Sequence, residues 1–188
     1  ILEKGLDLPG ISEVIGDGMK LQPSFIDMWP SAMVPVLELD DGTRFSEALA
    51  IVKYFEELHP EPNLLGATPL ERAFVTMWER PGYDEGIVGT AEVARNEMDV
   101  FHDRALPGFP NEAVVQIPAL INRGKQRVMR YLRKIEGQLS KNRYMAGDRF
   151  TFADITNLCA VDFALFAGMS IPQECPSVTR WYKEVSAR

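Results

Sequence analysis

Val34 to Leu58 reads VPVLELDDGTRFSEALAIVKYFEEL, and these residues decide the fold. Val34 to Leu39 is apolar and β-branched enough for a buried strand. Asp40, Asp41 and Gly42 then supply turn chemistry, so that Thr43 to Phe45 folds back as the second strand of a hairpin. Ser46 ends that strand and is read as the N-cap of a helix, with Ala48, Ile51, Val52, Phe55 and Leu58 on a single apolar face. Proline cannot donate to a strand ladder, so Pro35 belongs at the first strand position or on an edge, and a cis bond after Val34 is one way to achieve this.

The run VP-hydrophobic-L, then DG, then SE-small-x-AI-x-x-Y, followed by HPEPNLLG, resembles the glutathione-binding half of a cytosolic glutathione S-transferase. In that family the residue before the cis-proline pairs its backbone with the cysteinyl part of glutathione, while an acidic residue and a serine at the helix start hold the γ-glutamyl group. The resemblance assigns these roles to Val34, Glu47 and position 48, with Pro35 structural. Position 48 is Ala, which keeps the N–H at the positive end of the helix dipole and lacks the hydroxyl. A hydrogen bond to a charged group is worth about 1.5–3 kcal/mol, so the expectation is weaker glutathione affinity rather than none. The competing reading of Glu47 is that it only neutralises its own helix dipole.

Composition bounds the possibilities around this stretch. The 188 residues suffice for one large or two small cores, and 46% apolar with 25% charged residues is ordinary for a globular protein. A net charge of −7 without a long basic run argues against a nucleic-acid footprint. No apolar run reaches membrane-spanning length and no signal-peptide pattern opens the chain, so a cytoplasmic protein without membrane or nucleic-acid partners is expected. Two cysteines, Cys159 and Cys175, and two histidines, His59 and His102, have no ligand spacing, so no metal is expected.

Outward from the hairpin, ILEKGLDLP reads as the tail of a helix closed by Gly5. In the family a first strand carrying the catalytic Tyr, Ser or Cys precedes such a segment, so the thiol-activating residue is expected upstream of Ile1. Ile11 to Ile15 alternates weakly, as a second strand would, before a turn at Gly16 to Gly18. Lys20 is more simply a solvated lysine than a ligand, and Trp29 to Met33 (WPSAM) departs from the Asn-Pro-x-Gly pattern usual in the family.

His59 to Gly66, with two prolines, an asparagine and a glycine, reads as an interdomain linker. Thr68, Pro69 and Glu71 make a capping box that opens a long helix lined by Phe74, Met77 and Trp78. Pro81 and Gly82 are expected to kink or break it before the pattern resumes through Ile87, Ala91, Ala94 and Met98. The resemblance makes Arg80 and Tyr83 candidates for the electrophile pocket; the plainer reading is a solvated arginine and a packing tyrosine.

A Pro/Gly-rich loop spans Ala105 to Pro118. A helix follows with Ile121, Gly124, Val128, Tyr131, Leu132, Ile135 and Leu139 inward and a basic outer face. Thr151 and Asp154 form a second capping box, with Phe150 placed for a hydrophobic staple. Both residues match the cap of the family's core helix and are read as structural. That helix is expected to turn Ile155, Leu158, Cys159, Phe163 and Phe166 inward with Asp162 as the one polar intruder, which either finds a hydrogen-bond partner or points to the rim, and Pro176 to Val185 forms the last helix.

The fold expected is a thioredoxin-like α/β domain over 1–59 without its first strand, a linker over 60–66 and an all-α domain over 67–188. By resemblance the function is conjugation of reduced glutathione to a small apolar electrophile held between the halves, by a homodimer. The alternatives are a non-catalytic ligand- or protein-binding member and a glutathione-dependent reductase, isomerase or dehalogenase on the same scaffold.

Overall fold

The computed structural model describes residues 1–6 and 22–188. The expected strand at Ile11 to Ile15, the turn after it and Lys20 lie outside them. The chain divides into two compact units, Ile1–Pro62 with Leu106–Val114, and Asn63–Ala105 with Val115–Arg188.

In the first unit a 3-10 turn, Leu2–Lys4, closes on Gly5, whose φ of 61° is left-handed and natural for a residue without a Cβ. Lys4 is buried, and its ammonium donates to the carbonyls of His59 (2.7 Å) and Pro62 (2.9 Å) and pairs with Glu56 at 2.6 Å. A short helix α1, Pro23–Met28, precedes the hairpin. Strands β1, Val36–Glu38, and β2, Arg44–Ser46, pair antiparallel with Val36 opposite Ser46, Leu37 opposite Phe45 and Glu38 opposite Arg44. These are the two strands of the sheet among the described residues; the first is shorter than the sequence suggests, and the second has the expected three residues moved on by one. Helix α2, Ala48–Leu58, follows at once. The segment Leu106–Val114 joins this unit through the Phe109 N–H, which donates to the Ser31 carbonyl at 2.9 Å.

The second unit is helical. Helix α3, Pro69–Pro81, is capped by Thr68, whose side chain accepts from the Glu71 N–H, while Glu71 reaches the N–H of Ala67 rather than that of Thr68. Pro81 and Gly82 do not break the helix: the chain passes into π-helical turns over Gly82–Ile87 and on into α4, Val88–Glu97. The wider turns follow directly on Pro81, which has no N–H to give the ladder, and make an irregular joint between the two helical halves. Of the expected stripe Ile87, Ala91, Ala94 and Met98 only Ala94 is buried, and Gly86, Gly89, Thr90 and Val93 face in with it. On α3 the buried residues are Val75, Glu79 and Pro81, whereas Leu70 (66% exposed), Phe74 (43%) and Met77 (50%) form an outward stripe.

A 3-10 turn, Asp99–Phe101, leads into the loop, and α5, Ala119–Leu139, buries Gly124, Val128, Tyr131, Leu132, Ile135 and Leu139. Close approach explains Gly124: a Cβ there would lie 2.8 Å from the Gly89 carbonyl oxygen and 2.9 Å from Val93. Helix α6, Phe152–Phe166, departs most from expectation, because its buried residues include Ala153, Asp154, Asn157, Ala160, Val161 and Ala164. Cys159 and Phe166 are exposed instead of inward, and Phe163 stacks on Phe166 with ring centroids 6.4 Å apart. Small residues face in because the neighbouring backbone comes close there. Asp162 lies on the rim and accepts from the Tyr182 hydroxyl at 2.7 Å. Helix α7, Pro176–Val185, buries Val178, Trp181 and Val185.

Candidate functional site

The hairpin carries the site predicted from sequence. Its turn is fastened by Asp41, whose carboxylate accepts from the Thr43 N–H at 2.8 Å and is held below the ordinary aspartate range by that bond. Gly42, with φ 83°, takes the left-handed position. At the other end the Val34–Pro35 bond is cis and the Ser46 hydroxyl donates to the Pro35 carbonyl at 2.7 Å. Ser46 is therefore the last strand residue and not the N-cap, because its hydroxyl is already committed across the ladder.

The cap position falls to Glu47, with φ 74° and ψ 119°. Positive φ is costly for a residue with a Cβ, by about 1–3 kcal/mol, and strain of this kind gathers at functional sites. Glu47 makes no side-chain cap, while its carbonyl accepts from the Ile51 N–H at 3.0 Å. Its exposed carboxylate and the exposed Ala48 thus stand at a helix start whose first N–H groups have no cap from Glu47, at the positive end of the dipole. The Ser46–Pro35 bond and the Val36–Ser46 pairing bring the cis-proline segment and this helix start to one end of the hairpin. A helix start of this kind, at the positive end of the dipole and beside an exposed carboxylate, suits a small ligand that carries a carboxylate and an ammonium.

Arg80 and Tyr83 lie together in the second unit. The guanidinium carbon of Arg80 sits 5.5 Å from the Tyr83 ring centroid, and Arg80 pairs with Asp84 one turn on. Both side chains are exposed. Thr151 and Asp154 are buried and form the expected capping box. Asp154 accepts from Met145 N–H (2.9 Å), Thr151 N–H (3.0 Å), the Thr151 hydroxyl (3.2 Å) and the Trp181 indole N–H (2.9 Å). Burial pushes its carboxyl up and these donors oppose the shift. Phe150 packs edge-on against Tyr144 and lies under the Arg188 guanidinium.

Sequence reasoning missed Asn157. Gly82 N–H turns to the Glu79 carbonyl, and the Trp78 carbonyl is taken up by the Asn157 amide at 2.8 Å. The same side chain donates to Ala153 and accepts from the buried Tyr131 hydroxyl at 2.7 Å. The signal available was a polar residue within an apolar helix, downstream of a proline inside another. Among the described residues no group of three or more His, Cys, Asp or Glu could hold a metal, and no helix is long and apolar enough to cross a membrane.

Comparison with known proteins fits this geometry. The model for "Glutathione S-transferase, N-terminal domain" matches residues 1–63, and that for "Glutathione S-transferase, C-terminal domain" matches residues 97–188. Glutathione S-transferase 2 of Saccharomyces cerevisiae is 31% identical over 172 residues, covering 91% of this chain and 70% of the yeast protein. Among solved structures, a glutathione S-transferase domain-containing protein of Marinobacter aquaeolei superposes with a TM-score of 0.77 at 32% identity, over 91% of this chain and 80% of that one. A Gtt2-class glutathione S-transferase of Vibrio parahaemolyticus gives 0.79 at 30% identity, over 100% of this chain and 84% of that one. The chain belongs to the glutathione S-transferase family and has its fold, an α/β half followed by a helical half.

Proposed function

We propose that this protein is a glutathione transferase that holds reduced glutathione against the end of the β1–β2 hairpin. The observation that carries the reading is the Ser46–Pro35 bond, which sets the Val34–Pro35 segment at the entry to α2. In this reading Val34 pairs its backbone with the cysteinyl unit, Glu47 receives the γ-glutamyl ammonium and the Ala48 N–H receives the γ-glutamyl carboxylate. Pro35 fixes the strand entry. Conjugation forms a carbon–sulfur bond between the glutathione thiolate and an electrophilic carbon of a small apolar substrate, with the thiol proton passing to a base. The thiol pKa must fall from about 8.5 towards neutrality. Arg80 and Tyr83 are proposed as pocket residues for the electrophile, a role consistent with their shared exposure and contact.

The partition into 1–59, 60–66 and 67–188, a homodimer, a cytoplasmic location and a role in detoxification complete the proposal. The outward stripe of Leu70, Phe74 and Met77 supports the dimer, since an apolar face of this spacing is a surface suited to a partner. Sedimentation of Phe74→Glu tests it: a shift to monomer is expected, and an unchanged species would refute this interface. Activity is tested by conjugation of a chloro-dinitrobenzene electrophile, which Glu47→Ala should slow mainly through KM for glutathione. Ala48, with no hydroxyl for the γ-glutamyl group, favours a second reading, a non-catalytic member, if glutathione binds without turnover of any electrophile.

A further inference from the structure

Helix α5 concentrates charge in an otherwise acidic protein: six Lys or Arg against the single Glu136 between Ala119 and Leu139, in a chain of net charge −7. Four of these cations, Arg123, Arg127, Arg130 and Lys134, recur at the spacing of one helix face. Together with Gln126 and Glu85 of the π segment they line a groove of about 510 Å³. The volume lies within the range of small-molecule sites.

Three of the four cations are already held by ion pairs. Glu92, from α4, pairs through one carboxylate oxygen with Arg123 at 2.8 Å and Arg127 at 3.6 Å, and Glu85 pairs with Lys134 at 2.5 Å. Among the described residues no carboxylate pairs with Arg130. Four cations against two carboxylates leave the groove with two positive charges, and the rest of the chain makes no such concentration expected. Elsewhere on the helix the cations pair singly, Lys125 with Glu97 and Arg133 with Glu174, and neither lines this groove.

We propose that this groove binds a polyphosphate group, carried by a small organic phosphate with at least two negative charges. Guanidinium forks match the oxygens of a phosphate in pairs, which three arginines on one face provide. From Arg123 to Lys134 the helix rises about 16 Å, longer than a single phosphate and suited to a diphosphate with an organic part. Gln126 offers both donor and acceptor to that part. The groove lies wholly in the helical unit and the assignment does not rest on the glutathione reading.

Calorimetric titration of the protein with ADP and, separately, with inorganic pyrophosphate tests this. Both are expected to bind at low salt with Kd below about 1 mM and to weaken as salt rises, because the pairs are exposed. Arg130→Gln should weaken both about tenfold and Arg127→Gln/Arg130→Gln further, with Arg133→Gln unchanged and glutathione binding unaltered in all three. ADP binding more tightly than pyrophosphate assigns part of the site to the organic moiety; equal affinities assign it to the polyphosphate alone. Absence of heat from either ligand at low salt, or affinities that Arg130→Gln and the double variant leave unchanged, would overturn the proposal.

Discussion

Asp154→Ala is expected to destabilise the helical unit strongly. Its carboxylate satisfies four donors, and Asp154, Thr151, Met145 and Trp181 are all essentially inaccessible to solvent. Truncation lets the Thr151 hydroxyl rotate to another acceptor. The Met145 and Thr151 N–H groups and the Trp181 indole N–H are fixed by backbone and ring. Each stranded buried donor costs about 1–3 kcal/mol, and relief of the buried carboxylate returns part of this, so a net loss of about 4 kcal/mol follows. For a chain of this size that corresponds to a midpoint lower by roughly 10 °C. Asp154→Asn keeps one acceptor oxygen and should lose about half as much. Guanidinium unfolding followed by tryptophan fluorescence, with Trp181 itself at the site, reads both variants. A loss below about 1 kcal/mol for Asp154→Ala would refute the assignment of this carboxylate as the centre of the helical unit's polar network.

Gly86→Ala would place a Cβ 2.7 Å from that of Ala160 and 3.0 Å from the Tyr131 ring, and should cost about 1–3 kcal/mol in thermal or denaturant unfolding. Gly137→Ala on the open side of α5, with nothing within 4 Å, should instead stabilise by about 0.5–1 kcal/mol. Glu47→Gly should relieve the positive φ and raise stability by about 1 kcal/mol while weakening glutathione binding, so unfolding and titration move in opposite senses. Glu71 is held below the ordinary glutamate value of 4.5, first by its hydrogen bond from Arg149 and then by the N–H of Ala67. A carboxyl lowered in the folded state contributes stability above its unfolded pKa and loses it as pH falls through the folded value. Melting scans from about pH 5 to about pH 3 should therefore fall more steeply for the native protein than for Glu71→Gln, and equal slopes would refute the pairing.

The hairpin and α2 were legible because turn chemistry at Asp41–Gly42 and the Val34–Pro35 step are local signals. Ser46 is not legible as a strand residue, because a hydroxyl before a helix looks the same in sequence whether it caps or crosses a ladder. The Thr151–Asp154 box was legible for the same local reason. The four-donor role of Asp154 was not, since Trp181 is brought in by tertiary packing. In α6 hydrophobicity pointed the wrong way: Ala153, Asn157, Ala160 and Ala164 face the close-packed neighbours, and Phe166 stays outside. The π turns at Gly82–Ile87 had a visible cause, Pro81, but their outcome depends on Asn157 reaching across from another helix.

Binding of glutathione at Val34, Glu47 and the start of α2 is tested most directly by calorimetric titration with reduced glutathione. Binding at micromolar to millimolar Kd is predicted, weakened about tenfold or more by Glu47→Ala, because a hydrogen-bonded charge is lost. Absence of heat at several millimolar glutathione, or an affinity that Glu47→Ala leaves unchanged, would contradict it.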